Sequence, residues 1–120
     1  NVIANGGNLC RPHLVGSADC HSLNFKLSTL NLIKQGLIAA CSPGGTAYPL
    51  FGLDMACKTG TAEFGDPSAL GGRTHAWLTG FYPVDKPEIT VTVLVEAGGE
   101  GSDVAAPMVK KIVEEWKNKN

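Results

Sequence analysis

The chain has 120 residues, of which 43% are hydrophobic, which allows one domain at most, built around a single modest core. Its formal charge of −1, with acidic and basic residues scattered along it, leaves no basic stripe and argues against nucleic acid or an anionic membrane surface as partner. No apolar run is long enough to span a bilayer, and no segment reads as a signal peptide.

Asn1 stands first rather than Met, and Val2-Ile3-Ala4 followed by Asn5-Gly6-Gly7 reads as the last turn and glycine stop of a helix whose start is absent, so the chain is expected to begin in mid-structure. Residues 8–15 alternate loosely and predict a short extended segment, confined by Pro12 to an edge or a loop. Residues 16–25 read as loop. Leu30, Ile33, Leu37 and Ile38 then fall at i, i+3, i+7 and i+8, the stripe of a helix with Ser28 as its N-cap and Ser42-Pro43-Gly44-Gly45 as its end. Residues 46–51 predict a short helical turn limited by Pro49.

The second half predicts three strands, over residues 55–64, 74–83 and 89–96. The last is the clearest, because its β-branched run sets Ile89, Val91, Val93 and Val95 on one face. A short polar turn at 84–88 makes an antiparallel hairpin the economical pairing of the last two strands. The glycine-rich stretch 65–73 suits a longer, mobile loop. A terminal helix follows, with Met108, Val109, Ile112, Val113 and Trp116 on its apolar stripe and Ser102 or Asp103 as the candidate cap of its start. The fold class is α+β: an antiparallel three-stranded sheet with helices packed against it.

Cys10, Cys20, Cys41 and Cys57 are widely spaced and include no CxxC pair, so they read as partly buried free thiols. Cys10, His13, Cys20 and His21 form the one group able to gather around a metal such as zinc, at a spacing that matches no standard pattern.

The informative segment is Lys58-Thr59-Gly60-Thr61-Ala62, on the first of the three strands. Glycine inside a strand weakens it and marks a place where something approaches the backbone closely. If this strand is a sheet edge, its free N–H and C=O groups pair with an extended peptide, the hydroxyls of Thr59 and Thr61 hold a carboxylate, and Lys58 supplies a positive field from the other face of the pleat.

Several further blocks stand in a fixed order around it: Ala4-Asn5-Gly6-Gly7 with Arg11-Pro12-His13, then Thr46-Ala47-Tyr48, the Lys58 to Glu63 motif, His75-Ala76-Trp77-Leu78-Thr79-Gly80-Phe81, Pro87-Glu88-Ile89, and Gly99-Glu100-Gly101 through Ala105-Ala106-Pro107. In these blocks the chain resembles the class B penicillin-binding proteins, the monofunctional peptidoglycan D,D-transpeptidases, over nearly its whole length. The resemblance implies the C-terminal segment of a transpeptidase domain, with part of the fold that these proteins share with serine β-lactamases.

That family places its chemistry on a serine nucleophile in SxxK, a second serine motif and KTG. By resemblance, Lys58 and Thr61 are the catalytic candidates and Thr59, Gly60 and Thr61 the substrate-binding ones. Lys58 would organise the second motif's serine, Thr59 and Thr61 would bind the carboxylate of the substrate or of a β-lactam, and the Thr61 N–H would be one of two oxyanion-hole donors. Each such donor is worth about 2.7 to 4 kcal/mol. The implied partners are the remainder of the same domain, the peptidoglycan stem peptide and β-lactams, with a dimer through an exposed sheet edge as a further option. No cofactor or metal is implied. The implied location is the outer side of a bacterial cytoplasmic membrane, to which the parent is anchored.

The chain departs from the family in one respect above all. None of Ser17, Ser22, Ser28, Ser42, Ser68 and Ser102 is followed by lysine at the third position, so the nucleophile and its base are missing. Ser22-Leu23-Asn24 has the form of the second motif but follows the Arg11-Pro12-His13 block instead of preceding it, and it reads as coincidence. His75 and Trp77 read as sheet packing. A fragment of a serine β-lactamase or β-lactam sensor, sharing the KTG strand, and a non-enzymatic metal-binding module are the alternative readings.

Overall fold

The computed structural model describes residues 2–16, 18–65 and 73–120. In chain order it comprises β1 (Asn8–Cys10), β2 (Cys20–Ser22), α1 (Leu27–Ala40), a 3-10 turn (Tyr48–Leu50), β3 (Ala56–Phe64), β4 (Arg73–Tyr82), β5 (Ile89–Val95), a π-helical turn (Gly101–Ala105) and α2 (Ala106–Lys119). The antiparallel sheet β3-β4-β5 is joined by a separate two-stranded ribbon, β1-β2. The predicted loop 65–73 lies almost wholly outside the described residues.

The pleat of the three long strands sorts alternate side chains onto two faces. Opposite pairs Cys57 and Gly80, Thr59 and Leu78, and Thr61 and Ala76 share one face, joined there by Val91 across from Gly80. This is the face that α2 covers: Cys57, Ala76, Leu78 and Val91 form one core with Leu50, Val109 and Val113. Leu50, Leu78, Val109 and Val113 are fully buried, worth about 1.5–3 kcal/mol each relative to exposure. The opposite face carries a smaller cluster, Ala56, Phe81 and Val84, packed by Leu37 and Ile38 of α1 and by Ile3 and Ala4.

At the chain's beginning the Gly7 N–H donates to the Val2 carbonyl and the Gly6 N–H to that of Ile3, the two bonds that close a helix C-terminus. Gly6 takes φ +61°, a conformation that L side chains resist.

Five expectations need correction. The stretch 16–25 is not all loop, since Cys20–Ser22 pairs antiparallel with Asn8–Cys10 to make the ribbon. Neither helix has its expected N-cap: α1 begins at Leu27 with Lys26 in the cap position, so Ser28 lies within the first turn, and α2 has Ala105 in the cap position, Ser102 and Asp103 lying in the π-helical turn before it, with no side-chain cap bond in either case. The α2 stripe is narrower than its periodicity, with Val109 and Val113 buried and Met108 and Ile112 left 44% and 42% exposed. Trp116 is only half-buried, although its indole Nε1 is shielded from solvent and finds no hydrogen-bond partner among the described residues.

The fifth correction concerns the cysteines, which are paired. Cys10–Cys20 closes the β1-β2 ribbon at directly opposed positions. Cys41–Cys57 links the end of α1 to β3, one residue before Lys58. The first pair also removes both thiolates that a Cys10/His13/Cys20/His21 zinc site would use; instead the ring nitrogens of His13 lie 3.1 Å from the carbonyl oxygens of Arg11 and Gly16. Titration of the purified protein with a thiol reagent in denaturant should find no reactive cysteine in this segment before reduction and all four after it; labelling before reduction would contradict these pairings.

Candidate functional site

Strand β3 pairs with β4 along its full length, Ala56 opposite Phe81 through Phe64 opposite Arg73, and no strand among the described residues flanks its other side. An edge of this kind leaves every second residue's backbone N–H and C=O free for an added strand or an amide-bearing ligand. The same alternation that buries Cys57 brings Thr59 and Thr61 to that face farther along the strand, beyond the cover of the core. Thr59 is half-buried there and Thr61 is exposed.

A groove of about 450 Å³ runs beside this edge, lined by Lys58, Thr59, Gly60 and Thr61 together with Thr46, Glu100 and Ser102. The structure thus brings together all four residues singled out by the sequence. The Lys58 ammonium donates to the carbonyl of Thr59. The Thr59 hydroxyl donates to Thr46 Oγ1 at 2.8 Å, and the Thr61 hydroxyl donates to Glu100 Oε2 at 2.7 Å.

Two glycines and a disulfide hold these partners in place. Gly45 sits hard against the end of α1, where a Cβ would fall 2.3 Å from the Ala39 carbonyl oxygen, and the Ala47 N–H bonds the Ala40 carbonyl at 2.8 Å. Thr46 is thereby tethered between them, and the Cys41–Cys57 bridge fixes the same end of α1 to β3. Gly101 lies on the sheet backbone itself: a Cβ there would be 2.3 Å from the Trp77 carbonyl oxygen and 2.8 Å from that of Gly60. The wide π-helical turn that starts at Gly101 therefore presses against the middle of the motif and delivers Glu100 to Thr61.

Gly60 has a different reason for being glycine. Its cross-strand partner is Trp77, whose Cβ would stand 3.2 Å from an added Cβ, tighter than ordinary packing. Part of the close approach expected at Gly60 is thus made by the Cβ of the protein's own Trp77. His75 stacks on Phe64 with ring centroids 4.1 Å apart, and its Nδ1 accepts the Ala97 N–H at 3.1 Å. His75 thus packs within the sheet, whereas Trp77 is 38% exposed. Ser22 and Asn24 hydrogen-bond each other at the end of the β1-β2 ribbon and do not line the groove.

Thr46 and Glu100, the groove residues that hydrogen-bond the two threonines, are ones that sequence reasoning did not assign. The signal for Glu100 was present in its two flanking glycines, which free the backbone on either side of it, but nothing in the chain order tells that residues 61 and 100 meet. Among the described residues no group of three or more His, Cys, Asp and Glu side chains gathers as metal ligands would.

The family model described as "Penicillin binding protein transpeptidase domain" matches residues 1–114. The peptidoglycan D,D-transpeptidase PbpA of Mycolicibacterium smegmatis is 44% identical over 127 residues, covering 89% of this chain and 25% of that protein. Among solved structures, penicillin-binding protein A of M. tuberculosis as a ceftriaxone acyl-enzyme superposes with a TM-score of 0.74 at 28% identity, covering 94% of this chain and 29% of the other. The Helicobacter pylori penicillin-binding protein PBP2, in complex with MreC, gives 0.76 at 32% identity, covering 97% and 22%. The chain therefore spans about a quarter of the length of the curated relatives it matches.

Replacing Gly101 by Ala should lower stability by about 1–3 kcal/mol, the usual cost of overpacking, because the methyl would meet backbone that cannot swing aside. Denaturant titration of the variant against the parent protein checks this, and an unchanged midpoint would contradict the close packing described.

Proposed function

The chain belongs to the penicillin-binding protein transpeptidase family, and we propose that it supplies the C-terminal, substrate-binding part of a serine D,D-transpeptidase domain. The observation that carries this reading is the free edge of β3, with Lys58, Thr59, Gly60 and Thr61 along one open groove. An acyl-peptide laid against that edge pairs its backbone with the strand, and its terminal carboxylate comes to the threonine hydroxyls near the Lys58 ammonium.

In the proposed reaction a serine from a segment outside these 120 residues attacks the carbonyl between the two terminal D-Ala residues of a stem peptide. The C–N bond breaks, the amine takes up a proton, and D-Ala leaves. The amine of a neighbouring stem then attacks the serine ester, forming the cross-link and regenerating the hydroxyl. The Thr61 N–H is proposed as an oxyanion donor, which acts by stabilising charge that develops only in the transition state. Lys58 contributes a fixed positive charge at the same place. A β-lactam follows the first half of this path: its ring amide opens onto the serine, and the ring nitrogen takes the proton.

The proposed location is the outer side of a bacterial cytoplasmic membrane, in a parent anchored there. The two disulfides support it, because such bridges persist in oxidising surroundings outside the cytosol. No helix among the described residues is long and apolar enough to cross a membrane. The remainder of the domain is the proposed occupant of the exposed apolar surface at Leu27, Leu32 and Ile33 of α1 and at Trp77 and Leu94 of the sheet, in preference to a second copy of the chain.

A fluorescent penicillin tests the reading. The full parent protein should become covalently labelled, while the isolated 120-residue chain should not. In the parent, Thr59→Val and Thr61→Val should each slow acylation about ten- to a hundredfold, the worth of a hydrogen bond to a charged group. Stable labelling of a serine within this chain alone, or threonine variants that acylate at the unaltered rate, would overturn it.

A further inference from the structure

Each threonine hydroxyl in the groove has one proton to give, and in this structure both are committed. Thr59 donates to a neutral hydroxyl, that of Thr46, which releases it at little cost and can donate to a ligand in its own right. Thr61 donates to a carboxylate oxygen, 2.7 Å away, in a charge-assisted bond of the stronger class. A ligand carboxylate that takes the Thr61 proton must displace Glu100 from it. It must also stand beside a second negative charge in the same groove, with Lys58 the only cation lining it among the described residues.

Glu100 is not free to drift away from this position. Its backbone carbonyl accepts the N–H groups of Asp103 and Val104, at 3.2 and 3.1 Å, and the next residue, Gly101, rests on the backbone of Gly60 and Trp77. The side chain alone can swing, because Glu100 is exposed.

We propose that Glu100 is an intramolecular competitor for the carboxylate seat of this groove, a specificity-determining residue that holds the Thr61 hydroxyl until a ligand displaces it and that selects against anionic ligands relative to neutral ones of the same shape. The proposal rests on the transpeptidase reading of the groove. Ligands whose carboxyl group is esterified or amidated escape the charge repulsion, so the ratio of their reactivity to that of the free acids reports on Glu100 itself.

The experiment uses the full parent protein and two probes, a penicillin with a free carboxylate and its methyl ester, with the second-order acylation rate measured for each. Glu100→Gln keeps the shape and an acceptor oxygen while removing the charge, and Glu100→Ala removes both; the backbone carbonyl that anchors the π-helical turn is present in each. In both variants the rate with the free acid, divided by that with the ester, should rise about five- to thirtyfold over wild type, the worth of one like-charge contact in a solvent-screened groove. The gap between variant and wild type should narrow as ionic strength rises. Because the ratio is taken within one protein sample, partial loss of folded material cancels. An unchanged or lowered ratio overturns the proposal, the lowered one showing that Glu100 prepares Thr61 for the ligand instead of competing with it. Failure of the underlying reading is distinguishable: the wild-type parent would then take no label, or Thr59→Val and Thr61→Val would label as well as wild type.

Discussion

Hydrogen bonding of β3 to β4 on one side only, among the described residues, is the constraint from which the site follows. It fixes the pleat, so that Cys57 faces the α2 core while Thr59 and Thr61, two and four residues on, carry the same face outward into solvent. It also leaves a row of backbone donors and acceptors along the groove. An unpaired edge is a liability in most proteins, since it recruits other chains. Here the proposed substrate is itself an extended peptide, which gives the exposed edge a use.

The elements around the edge act as positioning devices for it. Gly45 and the Cys41–Cys57 bridge bind the end of α1 to β3, which sets Thr46 against Thr59. Gly101 seats the π-helical turn on the sheet, which sets Glu100 against Thr61. In both cases a glycine permits backbone to touch backbone, and the neighbouring side chain is delivered to a threonine. The groove is thus lined by polar groups that already have partners within the protein, and binding in it is an exchange of hydrogen bonds rather than the filling of a vacancy.

The β3, β4 and β5 strands were legible in the sequence to within a residue or two, β5 most clearly, because its β-branched residues at period two leave few other ways to bury one face. The β1-β2 ribbon was not. Its strands are three residues each and largely exposed, so there is no burial pattern to read, and the disulfide that closes it joins cysteines whose spacing matches no recognisable framework. The helix stripes were right in period but too generous in width: periodicity reports which side chains share a side of α2, whereas the partner surface decides how many of them are covered, and Met108 and Ile112 reach past it.

For the site, Lys58, Thr59, Gly60 and Thr61 were picked out by the likeness of several ordered blocks to a family, since a lysine, two hydroxyls and a glycine on a single strand are weak evidence by themselves. The sequence by itself thus determined the sheet, the motif upon it and the likeness to a family. Only the tertiary structure decided that β3 lies at an edge, that Cys41 meets Cys57, and that Thr46 and Glu100 close around the threonines. Those are contacts between residues 13 to 39 positions apart. They depend on how α1 and the π-helical turn pack against the sheet, and no local preference of the chain encodes that packing.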